Sequence, residues 1–342
     1  MGKTKQQVLA SLSALLIAGI AFAQETTPAM VAAAAKEGKV VWYTAVDVKV
    51  AEALAKVFRA EYPNINIEVE RSGSERVFQR INQEYQSGIK NVDVVNSSDS
   101  SHFIFWKQQK WLAQHTPPDV KRYPEQFKDP EGYYATWRAT LSVMGYNTKL
   151  VEAKDAPAGY LDLLDPKWKG KLVKAHPGYS GTSLTGTFAI TKLLGWDYLE
   201  KLSKQGVQQL QSTTASPKSI ASGERAVMVD GNEYNMFIEI DAKSPVKIIY
   251  PVEGTPFVTS PTAVFADAPH PNAARVLQNF LYTARIQQMA VDEGGTRSAH
   301  PDVKEPTGRT PLAQIKLLPD DPVAMLPQIA DIKKRYTALF GN

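Results

Sequence analysis

Short apolar runs alternate with amphipathic helical stretches from Val40 onward, and this alternation constrains the fold more than any other feature of the chain. Val40-Val41-Trp42-Tyr43 has the continuous apolar character of a buried strand. Ala51, Leu54, Val57 and Phe58 then share one helical face, which Tyr62-Pro63 closes, and Ile65, Ile67 and Val69 alternate as a second strand. A third cycle runs from helical spacing over Val77 to Tyr85, through Gly88, to the short strand Val92-Asp93-Val94-Val95. A strand that returns through a helix lies parallel to its predecessor, so the pattern predicts an α/β fold with a parallel, doubly wound sheet.

Upstream, a helix is expected from Met30 to Glu37, stopped by Gly38. Thr116 to Tyr133 is rich in Pro, Tyr and charge and reads as a surface connection, and Ala139 to Tyr146 as an extended crossing segment. A second α/β block opens at Leu172-Val173. It holds helices over Ser183 to Leu194 and Trp196 to Lys204 and a strand over Ala226 to Val229. Extended segments at Val246 to Tyr250 and Thr262 to Phe265 precede helices at Asn272 to Thr283, Arg285 to Asp292 and Pro322 to Phe340. A chain of 342 residues exceeds one comfortable core, so two lobes are expected.

Lys3 and Lys5 precede an apolar run from Val8 to Phe22, and Ala21-Phe22-Ala23 fits an A-x-A cleavage site. Residues 1–23 are therefore expected to be a signal peptide removed after Ala23, with the mature protein in the periplasm. The chain has no cysteine, which excludes disulfides and a lipidated cysteine anchor. No later run approaches the roughly 20 apolar residues of a membrane span, so no membrane insertion is expected. With 39 basic and 35 acidic residues, the balance supplies no field for nucleic acid.

Ligands of open parallel sheets bind at the carboxyl ends of strands, and the loops there are small and polar. Thr44 and Ala45 follow the first strand, with Asp47 read as a helix cap. Ser72-Gly73-Ser74 follows the second and Asn96 to Ser100, including Ser98, the third. In the second block, Ser180-Gly181-Thr182 opens a helix and offers backbone N–H groups to negative charge. Asn232 and Tyr234 lie where a strand turns through Gly231. These eleven positions are the candidate ligand-binding residues.

Other chemistry finds less support. The five histidines lack zinc spacing, and Asp99-x-x-His102 reads as a capped helix start. Trp106, Trp111, Trp137 and Trp168 read as packing. There is no thiol and no G-x-S-x-G elbow, and Ser244-x-x-Lys247 has no accompanying K-T-G, so no enzyme is expected; a secreted hydrolase is the alternative of another class.

The leader, Val40-Val41-Trp42-Tyr43-Thr44, Glu61-Tyr62-Pro63 before Ile65-x-Ile67, and Leu163 to Gly170 together resemble the extracellular solute-binding proteins of ABC importers, in the branch that includes the ferric-iron-binding periplasmic proteins. Ser222 to Ala226 and Pro271 to Ala274 extend the resemblance over most of the chain. It implies a type II periplasmic binding protein fold, two doubly wound sheets joined by two crossing strands near Ala139 to Tyr146 and Pro261 to Ala266, closing by a hinge. The first lobe would comprise 24–140 plus 264–310, the second 141–263, with 311–342 a helical segment packing on the lobes. The implied partner is an ABC importer permease, the implied state a monomer and the implied ligand a small oxygen-rich anionic solute, with no cofactor. The alternative is ferric ion. The branch's adjacent tyrosine pair reads Glu233-Tyr234 here, so Tyr234, Glu233 and Glu75 would be its ligands.

Overall fold

The structure is a computed structural model that describes residues 25–341; the expected signal peptide lies outside the described residues. The chain opens with α1 (Pro28–Glu37), whose N-cap Thr27 accepts Met30 N–H and whose Pro28 stands where a helix needs no N–H. Next come β1 (Lys39–Thr44), α2 (Val48–Glu61), β2 (Asn66–Arg71), α3 (Ser74–Gln86), β3 (Val94–Asn96) and α4 (Ser101–Gln108). β1 pairs in parallel with both β2 and β3, so the first three cycles form the anticipated parallel unit.

The chain then crosses on β4 (Ala135–Asn147) into β5 (Leu172–Ala175), α5 (Gly181–Leu194), α6 (Trp196–Ser203), β6 (Gln208–Leu210), α7 (Ala215–Ser222), β7 (Val227–Asn232), α8 (Glu233–Asp241) and β8 (Val246–Ile249). It returns on β9 (Thr255–Val264) to α9 (Pro271–Tyr282) and α10 (Ala284–Asp292), and ends in β10 (Leu317–Leu318), α11 (Pro322–Met325) and α12 (Ile329–Phe340). Strand order is β2-β1-β3-β9-β4-β7-β5-β6. The joins β3–β9, β9–β4 and β4–β7 are antiparallel, whereas the outer strands on both sides are parallel. The front of β4 pairs with β9 and its rear with β7 and β8, so one strand serves both halves.

Three sequence expectations shift. The second crossing strand begins at Thr255 rather than Pro261, because Pro261 is tolerated opposite a register shift between Thr136 and Arg138 on β4. The tail helix expected over Pro322 to Phe340 is broken around Leu326–Gln328, where Pro327 interrupts the helical ladder. Helix α8 starts at the polar turn that follows the strand expected over Ala226 to Val229, and α7 lies in a stretch for which no element was expected.

Four apolar clusters form among the described residues, and two of them hold the outer parts of the halves. The larger packs Trp42, Phe58, Phe103, Trp106, Trp137 and Phe280, with Trp42 and Trp137 edge to face at 5.9 Å. The smaller packs Tyr146, Leu163, Trp168, Leu199 and Val227, and Tyr336 of α12 belongs to it. Trp106, Trp137 and Trp168 are thus buried packing residues, and Trp111 is half-buried against the first core.

Candidate functional site

The strand-end loops of the two halves meet around a small polar cavity that is almost filled by its own lining. Ala45, Gly73, Ser74 and Ser98 line it from one side, and Ser180, Thr182 and Asn232 from the other. Ser74 Oγ accepts Gly181 N–H at 2.6 Å and accepts from Ser98 Oγ at 3.2 Å, so the serine loops touch the start of α5 directly. Ser180 caps α5 by accepting Ser183 N–H, and its hydroxyl lies 3.0 Å from Thr213 Oγ1. Asn232 donates to Thr213 Oγ1 at 3.1 Å and to Asn235 Oδ1 at 3.0 Å.

The remaining candidates stand outside the lining. Thr44 is fully buried, its hydroxyl held between Asn96 Oδ1 and Val46 N–H, which makes it a lobe-internal brace. Ser72 donates its backbone N–H to Thr44 O, and Gly181 faces the other lobe through the bond to Ser74. Tyr234 is buried with its ring 5.3 Å below the Arg138 guanidinium, and burial holds its phenol above the ordinary value while Arg138 opposes the shift. Asp47 caps α2 through Lys49 N–H and accepts from Asn235 Nδ2 at 3.3 Å.

The structure adds residues that loop patterns did not single out. Ser212, Thr213 and Thr214 complete the hydroxyl wall, and Arg71 and Arg138 bring positive charge. Arg138 is 2 % exposed, and its Nε and Nη1 have no hydrogen-bond partner among the described residues. Burial lowers its pKa, Tyr234 opposes that shift and the nearby Arg71 adds to it. A guanidinium remains charged through such shifts, so the cavity wall carries two cations that repel one another. No carboxylate stands among the lining residues. The available signal was Arg138 itself, a charge within the otherwise mostly apolar run of β4.

The acidic residues have other partners. Glu233 accepts from Arg297 at 2.7 and 2.8 Å, from Arg309 at 3.1 Å and from Tyr250 at 2.7 Å, so its carboxylate is consumed by a buried ion cluster. Glu75 pairs with His102 at 3.2 Å and with Lys333. The pairings therefore commit Glu233 and Glu75 of the Tyr234, Glu233 and Glu75 set to other groups. Asp99 precedes Ser100, the N-cap of α4, and accepts Ser101 N–H at 2.8 Å, and its second oxygen reaches His102 at 3.4 Å. A larger groove, lined by Phe127, Tyr134, Phe257 and Leu312 among others, shares no residue with the polar cavity.

Known proteins share this architecture. AfuA, a periplasmic binding protein of Actinobacillus pleuropneumoniae solved with fructose-6-phosphate bound, superposes with a TM-score of 0.82 at 21% identity, covering 89% of this chain and 98% of that one. Iron-bound HitA of Pseudomonas aeruginosa superposes at 0.74 and 20% identity, covering 88% and 99%. These likenesses bear out the two-lobed periplasmic binding protein fold. In sequence, a probable ABC transporter periplasmic-binding protein of Sinorhizobium fredii, y4fP, is 22% identical over 243 residues, 68% of this chain and 67% of that protein. No helix among the described residues is long and apolar enough to cross a membrane. The profile of one family matches residues 90–313, and the chain therefore belongs to the bacterial extracellular solute-binding proteins.

Proposed function

We propose that the protein captures a small, oxygen-rich anionic solute between its lobes in the periplasm, as a monomer, and delivers it to an ABC importer permease. The observation that carries this reading is Arg138: a buried guanidinium with two unpartnered nitrogens, beside Arg71, in a cavity wall without a carboxylate. An unpaired buried cation is costly, and an anion in the cavity offsets that cost while accepting the guanidinium's fixed fork of donors. Ser74, Ser98, Ser180, Thr182 and Thr213 supply hydroxyls, and the start of α5 adds its positive dipole end. Hinge closure removes water from these groups and strengthens each contact; no bond is made or broken. The bound fructose-6-phosphate of AfuA favours a phosphorylated solute within this class.

Ferric ion is the weaker reading. HitA supports it as an iron-bound relative in fold. The Glu233 clamp and the raised Tyr234 phenol weigh against it, because an iron site needs free carboxylate and phenolate oxygens. A hydrolase is weaker still, since the family is a solute-binding class.

Calorimetry with fructose 6-phosphate, inorganic phosphate and ferric citrate separates the readings. Saturable heat with a phosphorylated compound, abolished when Ser180 and Thr182 are replaced by bulky apolar residues in a folded protein, is the expected result. A visible tyrosinate-to-iron band with ferric citrate that Tyr234→Phe removes, with no heat from either phosphate, overturns the anion reading.

A further inference from the structure

Three consecutive residues at the start of α3 reach across the cleft. Ser74 accepts Gly181 N–H, Arg76 donates to Gln211 and lies over the Tyr179 ring, and Glu75 pairs with Lys333. The Glu75 contact differs in kind from its neighbours, because it is ionic and its carboxylate is buried, while the Lys333 ammonium is partly exposed. Glu75, Asp99 and His102 are all 3 % exposed or less, with His102 Nε2 between Glu75 Oε1 at 3.2 Å and Asp99 Oδ2 at 3.4 Å. His102 Nδ1 meets Ser97 Oγ at 2.9 Å, and its ring stacks on Phe78 at 4.2 Å. The neighbouring carboxylates favour the charged imidazole, and His102 followed by Lys333 holds Glu75 at about 2 against the opposing pull of burial.

Lys333 comes from elsewhere. Its helix α12 packs on the second core through Tyr336, whose hydroxyl donates to Gln209 on β6. The Lys333 ammonium offsets the negative charge of the buried Glu75 only while that helix lies against α3. Separating the lobes removes the ammonium from a carboxylate that is 1 % exposed in the closed form, where Coulomb energy is large.

We propose that Lys333 is the fastener of the closed state, an ammonium carried by a second-lobe helix to the buried Glu75, His102 and Asp99 of the first lobe, which it must leave before the lobes part. The inference rests on the reading of two lobes closing by a hinge, and it concerns release of the solute rather than its recognition. Lys333 is a positioning residue and touches no ligand.

The absence of cysteine allows a clean test. Cysteines introduced for dyes at the exposed Ile89 and Leu161, one on each lobe, report the lobe separation by single-molecule energy transfer in the ligand-free protein. The expected result is a closed population that falls about 10-fold in Lys333→Met, falls equally in Glu75→Gln, falls no further in the double variant, and is restored by Lys333→Arg. Melting temperature is followed in parallel, since a merely structural lysine would lower it and leave the distance distribution alone. A wild-type distribution already open, or one that Lys333→Met does not move, overturns the proposal. The measurement uses no solute, so its failure is separate from a failure of the anion reading, which calorimetry scores.

Discussion

Ser74 Oγ accepts the N–H of Gly181 across the cleft at 2.6 Å, so the residue that opens a helix in one lobe is bonded to the residue that opens a helix in the other. A single buried hydrogen bond contributes about 1 kcal/mol. Ser74→Ala is therefore expected to weaken solute binding about 5-fold through less complete closure, with the melting temperature little changed, as calorimetry and thermal unfolding will read.

Gly181 permits this approach for a steric reason. A Cβ there would lie 2.7 Å from Asp99 Cβ, 2.8 Å from Ser98 O and 2.9 Å from Ser74 Oγ, all in the opposite lobe. Gly181→Ala keeps its own helix intact and is expected to wedge the lobes apart. Small-angle scattering should show a larger radius of gyration in the presence of solute, and affinity should fall at least 10-fold.

Arg138 makes binding and stability oppose one another. Arg138→Met removes a buried, unpaired charge and replaces it with a flexible apolar chain. Unliganded protein is expected to gain about 1 to 3 kcal/mol in denaturant unfolding, while solute affinity falls at least 100-fold. Loss of stability in the unliganded variant would contradict the assignment.

Lys174 and Asp230 behave in the contrary way. Lys174 Nζ lies 2.6 Å from Asp230, with neither side chain more than 1 % exposed, and also donates to Ser183, Thr187 and the Ala175 carbonyl. Burial lowers the Lys174 pKa and Asp230 opposes the shift. Lys174→Met strands the carboxylate and is expected to cost about 3 to 5 kcal/mol of stability, measured by chemical unfolding.

Asp320 titrates abnormally. Burial raises its carboxyl to about 6, against hydrogen bonds from Thr259 N–H and Oγ1 that favour the ionised form. A folded-state value above the unfolded one means the folded protein holds the proton more tightly, so stability from this group is complete below pH 4 and is lost as pH rises through 6. Asp320→Asn, fixed in the neutral state, is expected to unfold at a higher temperature than wild type at pH 7 and at the same temperature near pH 4.

The local signals in the chain were enough to assign most of the architecture. Parallel β-α cycles followed from apolar periodicity, because backbone pairing and side-chain alternation are local in origin, and Val40 to Val69 sits where its spacing requires. The wall residues Gly73, Ser74, Ser180 and Thr182 were legible for a related reason: a small polar residue after a strand and before a helix marks a strand-end loop wherever the sheet lies. Thr44 followed the same rule and was misplaced, since its hydroxyl turns inward to Asn96, a choice set by neighbouring strands.

What the sequence determined by itself was the order of most strands and helices, the exclusion of disulfides, and the family resemblance, all of which depend on residues near one another in the chain or on composition. Only the tertiary structure decided which charges are free to act. In sequence, Glu233 stands out as a ligand beside Tyr234, whereas neither Arg138 nor Lys333 stands out. Folding leaves two nitrogens of Arg138 without hydrogen-bond partners among the described residues, closes Glu233 inside Arg297 and Arg309, and sets Lys333 against Glu75, 258 positions away. Electrostatic role depends on distance and burial, and both are properties of the packed chain.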